Sequence, residues 1–450
     1  GRPGAVSFGI SAGKGKRKQR RKIIMPNILP ILIVFVLFFL GVPVAFAMLI
    51  ASFIYFTFMC DGVNMFTMVS SLLTNSESFT MLAVPFFVTA GTVMGYGGVS
   101  ENLMDFCEML TGRFTGGLGA TNCLLSTFMG GISGSSCADA AFEAKMLVPE
   151  MEKRGYSKGY ASAITAASSC ITPIIPPGIA LIIYATAAGC SIGDMFMAGY
   201  IPGILICAAL MVTNYFISKK RGWLPTRTKN PTPREFAKQT GKSIWALMLP
   251  LGIIMGMRLG WFTPTECAAI TIVYSVLVGA FVYRRLKIKH IKPIIVESVN
   301  NTAGVLLILS SASLFSRYMV WESIPQKAAA ALAGIATNKV VFIIIVLLFM
   351  LFLGMFLDTA AALVILPPLL LPVAMGLGIN IVHFGIILCL MDTIGGITPP
   401  FGVMLFAVMG VTKVSVREYL KEGWPLILAV FAVILLVSFV PEICLFLVNI

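Results

Sequence analysis

An all-α, polytopic membrane protein with inverted-topology repeats is what this sequence predicts, from three observations. Apolar residues make up 58% of the 450 residues and charged residues only 12%, a balance that excludes a water-soluble domain of this length. The apolar runs recur along the whole chain, many near the roughly 20 residues a helix needs to cross a bilayer. No stretch alternates with the period of a strand, so helices rather than a barrel must satisfy the backbone. The ten cysteines are scattered through the apolar runs, without a Cys-x-x-Cys pair, and the only histidines are His290 and His383. The cysteines therefore read as small buried residues, not as a disulfide framework or a metal site.

Charge sets the boundaries and the orientation. Residues 1–25 hold eight Lys or Arg and no acid, so 1–24 reads as a basic leader, natural or added, outside the fold. The first repeat is expected over 25–217, a basic loop and connector helix over 218–264, and the second repeat over 265–450. Basic loops at 218–242 and 284–292 belong in the cytoplasm, as do the clusters Lys153, Arg154, Lys158 and Lys413, Arg417, Lys421.

From these anchors the elements follow in order. Residues 28–58 cross outward, 80–94 return, and the polar stretch 101–113 lies in the cytoplasm. The segment 116–148 starts and ends beside cytoplasmic charge and holds Gly130, Gly131 and Gly134 in its middle, which predicts a re-entrant hairpin over about 116–150. The next span, 160–188, is broken at Thr172-Pro173 and Pro176-Pro177, because proline removes a backbone donor and clashes with the preceding turn. Residues 195–217 return to the basic loop. Spans at 243–257 and 265–282 cross out and back around "RLGWFTP", and 301–319 goes out again. A second hairpin with a break at Gly354 is expected over 340–374 and a second broken helix over 381–409, while 424–448 finishes outside. Each half reads span, span, hairpin, broken helix, span, with 243–257 as the connector that inverts the second half.

Short echoes join the halves. "GSSCADAAFEAKMLVP" from Gly134 pairs with "GMFLDTAAALVILPP" from Gly354, with Asp139 against Asp358 and Pro149 against Pro368 at equal separation. "SSCITPIIPPG" from Ser168 pairs with "TIGGITPPFG" from Thr393. Unwound backbone at membrane depth is tolerable where its carbonyls coordinate a cation, and an oxygen-only set with Ser and Thr hydroxyls suits Na⁺. Hairpin tips aim helix N-termini inward, which suits an anion. The two sites would be adjacent, a natural basis for coupling.

The Gly134 motif, "SKGYASAITAASSCITPIIPP" from Ser157, "GWFTPTE" from Gly260 and "GGITPPFG" from Gly395 together resemble the large membrane subunit of tripartite ATP-independent periplasmic (TRAP) transporters, from about Ile28 to the C-terminus. The resemblance implies an elevator-type secondary transporter of the bacterial inner membrane, driven by Na⁺. It implies two partners, a small membrane subunit (Q type) and an extracytoplasmic binding protein (P type) that delivers an organic acid such as sialic acid or a C4-dicarboxylate. One Na⁺ site would use Ser133, Ser135, Thr172, Ile175 and Pro177. The second would use Gly354, Phe356, Asp358, Gly395, Thr398 and Pro400. Candidate substrate contacts are Ser136, Asp139, Ser169, Arg317 and Thr359. Two departures stand out: Thr172 occupies a position where relatives often carry glycine, and the second tip reads "GMFLD" rather than a serine-rich run.

Other readings stay open on sequence alone. Ser136 to Asp139 also fits a capping box. Arg317, near the outer end of its span, either snorkels to the surface or pairs with a substrate carboxylate. Glu143 and Lys145 are expected near the cytoplasmic surface of the hairpin, without a chemical role. An ion channel would need a continuous polar pore. An enzyme would need a catalytic set, and two isolated histidines without a His-Glu-x-x-His motif argue against one. A divalent-anion/Na⁺ symporter shares the hairpin and broken-helix logic but imports without a delivery protein.

Overall fold

A computed structural model describes residues 28–60, 68–70, 72, 82–130, 134–227, 231–324, 327, 338–355, 359–399 and 402–449. Ser133, Phe356, Asp358 and Pro400 lie outside the described residues. Among the described residues the structure is helical with no strand. Among the described residues, six helices are long and apolar enough to cross a membrane: Ile192–Arg221, Pro233–Arg258, Pro264–Val282, Ile288–Trp321, Thr359–Gly376 and Val416–Phe439.

The entry into the fold departs from the sequence reading. The expected single span over 28–58 is two helices, α1 (Leu29–Phe39) and α2 (Val44–Ile54), the latter continued by a π-helical turn at Tyr55–Met59. Gly41 at φ +85° and Pro43 separate them, and α1 and α2 pack on one another. A left-handed residue ends one helix and a residue without N–H begins the next, while the apolar run continues across the break and hides it. After α3 (Ala83–Gly97), the stretch read as cytoplasmic polar chain is a helix, α4 (Val99–Thr111). Val99, Leu103, Phe106 and Cys107 lie on its buried face at helical spacing.

Both expected hairpins and both broken helices are present. The first hairpin is α5 (Gly117–Gly130) and α6 (Ser136–Lys153), and the first broken helix is α7 (Lys158–Ser168) and α8 (Ile179–Ala188). Then come α9 (Ile192–Arg221), α10 (Pro233–Arg258), α11 (Pro264–Leu277, with a π turn at Val278–Val282) and α12 (Ile291–Trp321). The second hairpin is α13 (Lys339–Gly354) and α14 (Thr359–Gly376), and the second broken helix is α15 (Ile381–Ile397) and α16 (Val403–Thr412). The described chain closes with α17 (Val416–Phe439) and the short α18 (Glu442–Leu445).

Packing sorts these helices into two bodies. In one, α12 lies on α2 and α3, α3 lies on α11, and α4 lies on α10. A Cβ at Gly97 of α3 would stand 3.2 Å from the Gly279 Cα, the close backbone approach that small residues allow between membrane helices. The other body holds both hairpins, both broken helices, α9 and α17, with α6 on α7 and α16, α17 on α7 and α9, and α13 on α15. The two meet chiefly where α4 packs on α5 and α12 on α14.

Helix starts are fixed by caps that the sequence spells out. Thr232 with Glu235, Thr263 with Glu266 and Ser415 with Glu418 each form a reciprocal capping box. Thr263→Ala is expected to lower stability by about 1 kcal/mol, read as a lower midpoint of thermal unfolding of the purified protein. At the C-terminal end of α9, the Arg221 guanidinium sits 5.7 Å from the Tyr160 ring and 5.2 Å from that of Trp223, pairs with Glu422 and donates to Ser157 Oγ at 3.3 Å. This group fastens the end of α9 to α17 and to the α6–α7 connection.

Candidate functional site

The first hairpin tip rests on the first helix break. Gly134 has φ +61°, and a Cβ there would stand 2.8 Å from the Pro177 carbonyl oxygen and 3.2 Å from Ile179 Cγ1. At the end of α5, a Cβ on Gly130 would meet Ile175 Cβ at 2.7 Å and the Thr172 carbonyl oxygen at 3.0 Å. Only glycine admits backbone this close. Thr172, Ile175 and Pro177 are buried, and the Thr172 hydroxyl donates to the Ser126 carbonyl at 3.4 Å. The segment 169–178 between α7 and α8 is irregular, with a cis peptide at Pro176-Pro177.

The second tip rests on the second break in the same way. A Cβ on Gly395 would stand 2.5 Å from the Gly354 carbonyl carbon and 2.6 Å from its Cα. Thr398 caps the end of α15, its hydroxyl donating to the Ile394 carbonyl at 2.6 Å. That bond directs the Thr398 proton back into the helix and leaves its oxygen lone pairs as acceptors.

The two halves then meet each other. Cys170 Sγ lies 3.4 Å from the Thr393 carbonyl oxygen, and Ser169 Oγ, which donates to Ala166 at 2.7 Å, lies 3.4 Å from Met404 Sδ. A residual gap of about 10 Å³ between the tips is lined by Ser136, Cys137, Gly354, Thr359, Asp392 and Gly396, among others. Thus Ser136, Ser169 and Thr359 of the expected substrate contacts converge with Gly354 and Gly395.

A larger cleft, about 850 Å³, opens between α3, α6 and α12 beside the first tip. Ser135, Asp139, Lys145, Tyr96, Glu297 and Asn301 contribute to its wall, with the Tyr96 hydroxyl donating to Glu297 at 3.1 Å. Its volume falls within the range of small-molecule sites. Asp139 therefore stands at the edge of this cleft, 2% exposed.

Two expectations change, and the exposure of Arg317 agrees with the snorkelling alternative. The capping box over Ser136 and Asp139 is not formed: Ser136 is the first helical residue, Ser135 occupies the cap position, and no side-chain cap bond is made there. Glu143, expected near the surface, is fully buried against Ser126, because its place on α6 faces α5 rather than the cytoplasm. Arg317 is exposed on α12 and is not part of either cavity wall. Arg317→Ala is accordingly expected to leave uptake within about twofold of wild type, as for surface substitutions of up to ~0.5 kcal/mol.

Some residues escaped the sequence reading. Asp392, 3% exposed inside the apolar helix Ile381–Ile397, carried a usable signal, since an ionisable residue at membrane depth is a functional candidate by default. Tyr96, Glu297 and Asn301 carried none, because their meeting with α6 is a tertiary fact.

Comparison with known proteins places this geometry. The family model "Tripartite ATP-independent periplasmic transporter, DctM component" matches residues 31–443. The chain is 36% identical over 420 residues to the sialic acid TRAP transporter permease protein SiaT of Haemophilus influenzae, covering 93% of this chain and 68% of that protein. It is 35% identical over 421 residues to the isethionate TRAP transporter permease protein DctMQ of Oleidesulfovibrio alaskensis, of whose length it spans 66%. It is also 37% identical over 408 residues to the sialic acid TRAP transporter large permease protein SiaM of Vibrio cholerae, covering 90% of this chain and 94% of that one. Among solved structures, the Alcanivorax borkumensis YdaH transporter matches with a TM-score of 0.62 at 15% identity, over 90% of this chain and 98% of that chain, a likeness of fold.

Proposed function

The chain belongs to the DctM-component family of tripartite ATP-independent periplasmic transporters, and from that premise we propose that it is a Na⁺-driven transport subunit importing a small organic acid delivered by an extracytoplasmic binding protein. It is a multi-pass protein of the bacterial inner membrane. The observation that carries the proposal is the double seating of hairpin tip on helix break, Gly134 on Pro177 and Gly354 on Gly395, around one shared gap.

Each seat offers oxygen donors and few alternatives. At the first, the Thr172 carbonyl lies beside Gly130, and Ser135 flanks Gly134. At the second, Thr398 keeps its lone pairs available beside the broken end of α15. Carbonyl and hydroxyl oxygens suit a hard monovalent cation. With Na⁺ bound, each tip is held against its break, and a substrate carboxylate binds at the N-terminal ends of α6 and α14, where unsatisfied N–H groups and the helix dipole favour an anion. Ser136 and Thr359 begin those two helices. The body carrying hairpins and breaks then slides against α2, α3, α11 and α12, exposing the substrate to the 850 Å³ cleft. The contacts between the bodies concentrate at α4–α5 and α12–α14, which is the surface along which such a movement would run. The substrate class is read from relatives whose names carry sialic acid and isethionate. The family's name as a tripartite system supports a small membrane subunit and a binding protein as partners.

Uptake into proteoliposomes holding the chain with its small subunit is the test. Uptake is expected to require both an inward Na⁺ gradient and the binding protein. Replacement of Na⁺ by K⁺ without loss of uptake would sink the cation assignment, and full uptake without the binding protein would favour a stand-alone symporter.

A further inference from the structure

The carboxyl of Glu143 stands apart from everything used so far. It is 0% exposed, lies on α6 one turn below Asp139, and among the described residues no Lys, Arg or His comes within ion-pair distance of it. An ionised carboxylate so placed would bear its desolvation without a compensating cation.

The hydroxyl groups around it are compatible with the neutral form. Ser126 Oγ lies 2.9 and 2.8 Å from the two Glu143 oxygens and 3.2 Å from the Asn122 carbonyl oxygen. A serine hydroxyl has one proton to give. The neighbouring hydroxyl, Ser168, is a second hydrogen-bond partner of Glu143 and also lies 3.0 Å from Asn122 Oδ1 and 3.0 Å from the Thr165 carbonyl oxygen. The Asn122 amide in turn donates to Thr165 Oγ1 at 2.6 Å, whose proton goes to Ala161 at 2.8 Å. With Ser168 donating to Asn122 Oδ1 and Ser126 to the Asn122 carbonyl, the proton between Glu143 and Ser126 Oγ is supplied by the carboxyl.

We propose that Glu143 is a proton-binding site of the first hairpin, loaded here as a neutral acid that donates to Ser126 and exchanging with the cleft past Asp139. Asp139, one turn nearer the tip, forms part of the cleft wall, so it is the group through which a proton reaches or leaves the buried carboxyl. The titratable groups that face Glu143 are few. Asp139 shares its helix, and Cys107 of α4 and Cys123 of α5 are close enough to interact with it. On its packing partners, α7 presents Thr165 and Ser168, with its ionisable Lys158 and Tyr160 toward the far end, and α16 has no ionisable residue. A neutral Glu143 also lets the hairpin move through the membrane without dragging an unpaired charge, which is costly at membrane depth.

The test is infrared difference spectroscopy on the full chain with its small subunit, in lipid, and does not depend on transport. Wild-type protein at neutral pH is expected to show a protonated-carboxyl carbonyl band that Glu143→Gln removes. Ser126→Ala is expected to keep the band and shift it, because the acceptor of that proton is gone. The band should persist with and without Na⁺. A wild-type spectrum identical to that of Glu143→Gln overturns the assignment, as does a band that disappears on adding Na⁺, since that outcome makes Glu143 a cation ligand instead. Should Glu143→Gln fail to fold, the Ser126→Ala shift decides: an unmoved band overturns the proposed donor.

Discussion

Gly395→Ala is expected to reduce Na⁺-dependent uptake by on the order of ten- to a hundredfold while leaving the protein folded. The added methyl would stand 2.5 Å from the Gly354 carbonyl carbon and 2.6 Å from its Cα. Both are backbone atoms, so no side-chain rotation relieves the clash, and the second tip must lift from its break. Overpacking of this kind costs about 1–3 kcal/mol, which at tenfold per ~1.4 kcal/mol gives the stated range. Gly410→Ala, also on the second broken helix, is the control: nothing lies within 4 Å of its Cβ position, and uptake should be unchanged. Equal loss in both variants would mean that the effect comes from helix propensity and not from the seat.

Gly134→Ala is expected to raise the Na⁺ concentration for half-maximal uptake by about tenfold or more, with a smaller effect on the maximum rate. Two costs combine there. A left-handed backbone carries roughly 1–2 kcal/mol of strain for any residue with a Cβ, and that Cβ would press on the Pro177 carbonyl at 2.8 Å. The first cost can be measured alone at Gly155, which has φ +84° with nothing within 4 Å. Gly155→Ala should lower thermal stability without moving the Na⁺ dependence. An unchanged Na⁺ dependence in Gly134→Ala would separate the first tip from the cation site.

Much of this fold is legible because membrane helices announce their exceptions. Prolines at Pro173, Pro176 and Pro177 and the glycines around Gly130 and Gly134 sit where uninterrupted helix would otherwise be expected, and the first hairpin and first break follow from them, as the second pair follows from Gly354 and Pro399-Pro400. The failures share a cause. The break at Gly41 and Pro43 is short and lies within continuous apolarity, so length alone read it as one span. Glu143 was assigned to the surface by residue type, yet its environment is set by Ser126 on another helix. The contact between Cys170 and Thr393, which joins the two halves at the site, has no local signature at all.

The gap of about 10 Å³ where the tips converge is close to the volume of a single water-sized probe. Ser136, Cys137, Thr359 and Met404 around it are side chains that can turn, whereas the seats themselves meet backbone to backbone. In the proposed Na⁺-driven cycle, room for the cargo would then come from turning side chains while the glycine seats stay shut, so the two acts would answer to different parts of the same gap.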